Sequence, residues 1–134
     1  YILFLLIITI CISTDIGGYI FGKLIKGPKL TKYSPKKTIA GMLGSFIFSI
    51  ISTLIFFNKI EIQESLMKLL FFTLIISFIS QLGDIIISFF KRLANKKDTG
   101  KIIPGHGGLL DRIDGMIFAF PFSYLIILTN FFNE

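Results

Sequence analysis

Three carboxylates, Asp84, Asp111 and Asp114, bracket a stretch that also carries Lys91, Arg92, Lys96, Lys97, Asp98, Lys101, Arg112 and the only histidine, His106. Asp111 and Asp114 are three residues apart, the spacing that sets two side chains on one face of a helix. Asp84 comes from the end of the preceding apolar segment. Carboxylates that converge beside cations make a hard, oxygen-rich site of the kind magnesium uses, because that ion keeps several waters and is held by one or two carboxylates together with substrate phosphates. The chemistry such a set can do is phosphoryl or nucleotidyl transfer, which asks for charge positioned around phosphates rather than for covalent work by the protein. The competing reading is structural: Asp84 paired with Arg112, or Asp111 with a lysine, holding a loop in place. His106 stands within Pro-Gly-His-Gly-Gly and is read as a structural or phosphate-contacting residue rather than a base. A phosphomonoester has a second pKa of about 6, so its oxygen is already largely anionic. The backbone N–H groups of Gly105, Gly107 and Gly108 could approach an anion closely, since glycine adds no side chain in the way.

The elements that must position these groups are apolar helices. The 134 residues are 53% hydrophobic with 16 Phe and a mean hydropathy of +0.79, too apolar for a soluble domain of this size. The expected fold is all-α: one membrane-embedded catalytic domain over residues 1–134, with about four transmembrane helices and two basic cytoplasmic loops. The spans are expected near residues 1–25, 41–57, 66–90 and 113–132, the last kinked at Pro121. Along 66–90, the residues Ser77, Gln81, Asp84, Ser88 and Lys91 recur at helical spacing and fall within roughly 80° of one another. A helix bathed only in lipid would not keep that stripe. A hydrogen-bonded seam between helices accounts for its serines and Gln81, and a polar cavity accounts for Asp84. Gly41, Gly44, Ser45, Ser49 and Ser52 gather small residues on the second span, as tight helix packing requires.

Asp15 interrupts the first span, at a cost of about 2.5 to 3.5 kcal/mol for a carboxylate at a helix centre. Either it marks the end of a helix or it faces a polar cavity, with Gly17 and Gly18 allowing close packing or a local break. Residues 22–40 carry Lys23, Lys26, Lys29, Lys32, Lys36 and Lys37 with no acid. Six more Lys and Arg lie in 91–112, and only Lys59 and Lys68 fall elsewhere. Two spans separate the basic loops, so both sit on one side, the cytoplasmic one, where they attract anionic lipid and nucleotide phosphate. Charge of +6 without a DNA-reading helix or an aromatic RNA motif argues against nucleic acid. One cysteine, Cys11, and one histidine exclude an internal disulfide and a zinc site of the usual nitrogen and sulfur kind. The apolar N-terminus lacks the basic start and small-residue cleavage site of a signal peptide.

Read as spacing, residues 88–114 run S-x-F-K-R-x4-K-D-x-G-x2-I-P-x-H-G-G-L-x-D-R-I-D. This resembles the signature of the phosphatidate cytidylyltransferase (CDP-diacylglycerol synthase) family. The run DIGGYIFGKLIKGPKLTKYSPKKTIAG resembles that family's second block, with one departure: Ala40 stands where the family usually has Glu. The resemblance implies a bacterial inner-membrane enzyme, with its site on the cytoplasmic side, that joins CTP to phosphatidate and releases pyrophosphate. It implies catalytic roles for Asp84, Asp111, Asp114, Lys91, Arg92 and Arg112, with Mg2+ at the three aspartates. It implies substrate contacts from Asp15, Ser34, Lys36, Lys37, Lys97, Asp98, His106, Gly107 and Gly108. It leaves room for a second cation and a homodimer, and it implies further helices upstream, so that this chain is the C-terminal half. Two rivals were weighed on the residues. Asp-Arg-Ile-Asp-Gly opens like a CDP-alcohol phosphotransferase motif, but Met116 to Ala119 lack its Ala-Arg continuation. A non-enzymatic channel or transporter subunit would explain intramembrane carboxylates but not the long motif.

Overall fold

The computed structural model describes residues 1–32, 37–59, 65–94, 109–129 and 131, with the side chains of 109–112 excepted. Four helices form an up-and-down bundle: α1 (Ile2–Ile25), α2 (Ile39–Lys59), α3 (Leu66–Leu93) and α4 (Leu109–Leu128). The first three are long and apolar enough to cross a membrane, and the apolar part of α4, Ile113–Leu128, is shorter. At about 1.5 Å per residue, helices of 24, 21 and 28 residues exceed the ~30 Å hydrocarbon layer. The all-α membrane fold expected from composition is the one observed, and the protein is an integral membrane protein.

The helices bury their small and polar residues and turn their large apolar ones outward. Thr14, Ser45, Ser49, Thr53, Thr73, Ser77 and Ser80 are buried, whereas Phe4, Ile12, Ile47, Ile51, Phe71, Phe78 and Leu125 are exposed. Water would not drive such an arrangement. Lipid tails are as apolar as leucine, so helices associate through close packing and interhelical hydrogen bonds instead. The apolar core is confined to Leu6, Ile7, Ile10 and Cys11 of α1, Leu69, Phe72 and Ile76 of α3, and Ala119 of α4.

The first span is continuous through Asp15, Gly17 and Gly18, so these glycines make a close approach and not a break. A Cβ at Gly17 would stand 2.6 Å from the carbonyl oxygen of Gly44, and one at Gly41 would stand 2.7 Å from that of Gly18. Backbone lies against backbone there, and α2 presents the small face expected of it. α1 packs against all three other helices, while α2 and α4 do not touch among the described residues.

The described residues between α1 and α2 are tied to one another through the backbone. Lys29 pairs with Thr38 in an antiparallel bridge. The Leu30 N–H donates to the Lys37 carbonyl at 2.8 Å, and the Ile39 N–H donates to the Pro28 carbonyl at 3.2 Å. Thr38 then caps α2, its hydroxyl accepting from the Gly41 N–H at 3.0 Å, the bond expected of a threonine at an N-cap. α4 starts at Leu109, inside the expected second loop, and ends at Leu128. Pro121 lies within it.

Candidate active site

The C-terminal end of α1, the N-terminal end of α2 and the C-terminal half of α3 enclose a cavity of about 220 Å³. α1 contributes Thr14, Asp15, Gly18 and Tyr19; the connecting segment and α2 contribute Leu30, Lys37, Thr38, Gly41, Met42 and Ser45; α3 contributes Gln81 and Asp84. The bridge between Lys29 and Thr38 fixes the backbone on either side of this opening and delivers Lys37 to it. Gly18 and Gly41, by letting α1 and α2 approach, set the width of its floor.

Lys37 Nζ stands 2.8 Å from Asp84 Oδ2, in a partly buried pair. Asp15 faces the same cavity and interacts electrostatically with Asp84, Lys37 and Asp114. Asp114, 6% exposed, lies behind this group at the start of α4, with Oδ2 at 3.7 Å from Lys91 Nζ. Its neighbour Gly115 lets α4 close against α3: a Cβ there would stand 3.1 Å from Asp84 Oδ1 and would collide with Ser80. Three carboxylates from three helices thus meet near two lysines. Such a set persists in a membrane interior only where opposite charges or ligands offset it.

The polar stripe of α3 resolves into parts. Ser77 belongs to a seam, its hydroxyl 2.9 Å from that of Thr14, and Ser45 donates to the Thr14 carbonyl at 2.7 Å. Gln81 and Asp84, one turn further on, line the cavity. Both readings of the stripe therefore hold, each over its own turn.

Of the residues expected to act, the structure brings Asp15, Lys37 and Asp84 together around the cavity and sets Asp114 and Lys91 beside them. The pairing differs from the one weighed on the sequence, since Asp84 meets Lys37 and not an arginine of the following loop. Arg92 is exposed at the end of α3 and forms no ion pair among the described residues. Asp111 and Arg112 lie in the first turn of α4, but their side chains are outside the described set. Ser34, Lys36, Lys97, Asp98, His106, Gly107 and Gly108 also lie outside the described residues. Thr14, Tyr19, Thr38 and Ser45 line the cavity without having been expected there. Only Thr38 carried a signal, as a threonine three residues ahead of Gly41 where the apolar run begins.

The donor chemistry fits magnesium. The described carboxylates are hard oxygen ligands, and no thiol or imidazole lines the cavity among the described residues. Among the described residues no three His, Cys, Asp or Glu side chains are grouped closely enough to hold an ion by themselves.

A family model described as the cytidylyltransferase family matches residues 1–130. Among curated proteins, the chain is 42% identical over 116 residues to a phosphatidate cytidylyltransferase of Staphylococcus saprophyticus, covering 86% of this chain and 45% of that protein. It is 40% identical over 129 residues to one of Staphylococcus epidermidis, covering 96% and 49%. It is 41% identical over 118 residues to one of Staphylococcus aureus, covering 87% and 45%. The chain spans about half the length of the curated relatives it matches.

Proposed function

Since the chain belongs to the cytidylyltransferase family, we propose that it forms the site at which a cytidylyl group passes from CTP to phosphatidate, giving CDP-diacylglycerol and pyrophosphate. The observation that carries this reading is the meeting of Lys37 with Asp84 at 2.8 Å in a cavity between membrane-spanning helices, with Asp15 and Asp114 close by. Phosphate and metal chemistry are thereby offered at a depth a lipid headgroup can reach.

In the reaction, a phosphate oxygen of phosphatidate forms a bond to the α-phosphorus of CTP, and the bond from that phosphorus to the oxygen bridging the β-phosphate breaks. Pyrophosphate carries away the charge. No base is needed, because the attacking oxygen is already anionic near neutral pH. Asp84 and Asp114 would hold magnesium, joined by Asp111. When bound, the ion supplies positive charge that offsets the phosphates. Lys37 and Lys91 keep the carboxylates compensated and offer cations to phosphoryl oxygens, and Arg92 and Arg112 would add positive charge for the nucleotide. Part burial of the Lys37–Asp84 pair lowers the local dielectric, so these interactions are stronger than they would be in free solution. The lysine distribution supports a cytoplasmic position for this end of the bundle, where CTP is available and where basic loops attract anionic lipid.

The test is label transfer by purified protein in phosphatidate-containing nanodiscs. Label at the α-phosphate of CTP should enter the organic-soluble lipid, and label at the γ-phosphate should leave as pyrophosphate. Label that stays in the aqueous phase in both cases contradicts the reading.

A further inference from the structure

Along the polar face of α3, Ser77, Asp84 and Lys91 each meet a partner and, among the described residues, the Gln81 amide nitrogen does not. Ser77 meets Thr14 at 2.9 Å, Asp84 meets Lys37 at 2.8 Å, and Lys91 meets Asp114 at 3.7 Å. Gln81 sits between the first two and is 7% exposed. Its Nε2 is buried with no hydrogen-bond partner among the described residues, yet the side chain lines the cavity. A buried amide donor left unmet costs about 1–3 kcal/mol. Such a cost persists where a ligand removes it; the Asp15 and Asp84 carboxylates also line the cavity, Asp84 already compensated by Lys37, and the cationic and N-terminal groups near this donor favour an oxygen anion. Lys37 shares the lining. So do Thr38 and Gly41 at the N-terminus of α2, where the aligned peptide dipoles place partial positive charge.

We infer that Gln81 is a substrate-contacting residue whose carboxamide N–H donates to a phosphoryl oxygen held between Lys37 and the start of α2. The inference rests on the proposed cytidylyl transfer and names a contact within it. A neutral donor is suited to this place. Asp84 one turn away already takes the lysine, so a second fixed cation would compete for the same carboxylate, whereas an amide binds oxygen without altering that balance. The phosphoryl group could belong to the nucleotide or to the lipid, and the two are separable by experiment.

Equilibrium binding of CTP, and separately of phosphatidate in nanodiscs against phosphatidylcholine nanodiscs, should be measured for the wild type, Gln81→Met and Gln81→Glu, together with ligand-free thermal stability. Gln81→Met keeps the volume and removes the unmet donor, so the ligand-free Tm should hold or rise. Affinity for one ligand should fall about tenfold to a hundredfold, as loss of a hydrogen bond to a charged group dictates. The ligand affected identifies the phosphoryl group. Gln81→Glu keeps the acceptor and loses the donor, so it should lose at least as much. Unchanged affinity for both ligands in Gln81→Met overturns the inference, as does a lowered ligand-free Tm or wild-type binding by Gln81→Glu. A protein that binds both ligands through Gln81 and forms no CDP-diacylglycerol refutes the proposed reaction while leaving this contact in place.

Discussion

The two ends of the bundle handle buried polarity in opposite ways. Away from the cavity the polar groups are neutral hydroxyls matched to one another, as Thr53 is to Thr73 at 2.8 Å, and this seam reaches the cavity's edge, where Thr14 meets Ser77 at 2.9 Å. At the cavity charged groups join them: Asp15 of α1, Lys37 just ahead of α2 and Asp84 of α3, with Lys91 of α3 and Asp114 of α4 close by. Matched hydroxyls are adhesive between helices that gain nothing from expelling water. Charges around a cavity are costly to keep and gain by meeting a ligand. The same folding problem, burying polar side chains in lipid, thus separates structural seam from chemical site within one helix, between Ser77 and Asp84.

That contrast can be broken from either side, and the largest effect should come from the charged end. Lys37→Met should lower cytidylyl transfer by about 10²- to 10³-fold, the loss typical when a group stabilising developing charge is removed. It should also lower thermal stability by stranding Asp84. Adding Asp84→Asn to Lys37→Met should restore the Tm without restoring turnover; recovery of turnover would make the pair structural.

A packing defect should come next. Gly17→Ala drives a Cβ to 2.6 Å from the Gly44 carbonyl, and overpacking against backbone costs about 1–3 kcal/mol. Detergent unfolding should read that loss, with turnover per folded molecule reduced because the neighbouring Gly18 lines the cavity. A Tm equal to that of the wild type would show that α1 and α2 are not held by this approach.

Smaller still is the effect of the unusual residue at the start of α2. Ala40 lies in its first turn, just after the Thr38 cap. An acid there complements the helix dipole by about 0.3–1 kcal/mol, so Ala40→Glu should fold at least as well and turn over faster. Slower turnover with intact folding would show that the missing acid is not a defect. Least of all should be the neutral seam. A double-mutant cycle of Thr53→Val and Thr73→Val should give a coupling of about 0.6 kcal/mol, with transfer activity unchanged in both single variants.

Much of this was legible in the residues, for physical reasons that also mark where legibility ends. Periodicity placed α2 and α3 within two or three residues of their ends, because apolar length and helical spacing are local properties. The small face of α2 and the polar face of α3 could be read the same way. The start of α4 could not: Asp111 and Arg112 break the apolar run, yet the helix begins at Leu109, since polar residues at a helix start interrupt hydropathy without interrupting the backbone. Nor could the partner of Asp84. Lys37 lies 47 residues away, and among many lysines nothing in spacing distinguishes the one that a bridge between Lys29 and Thr38 carries to the site. Asp15 was legible as an expensive residue, but not as a neighbour of Asp84. That depends on how α1 packs against α3, which no local spacing sets.

The most direct test of the account replaces the carboxylates without changing their size. Asp84→Asn and Asp114→Asn should each insert and fold, lose transfer of α-phosphate label from CTP to phosphatidate by about 10²-fold or more, and require more magnesium for whatever activity is left. Turnover titrated against magnesium in nanodiscs, with Tm recorded on the same samples, reads all of these at once. Variants that are unstable yet keep the magnesium dependence of the wild type would contradict the account, leaving the aspartates as partners of Lys37 and Lys91 and nothing more.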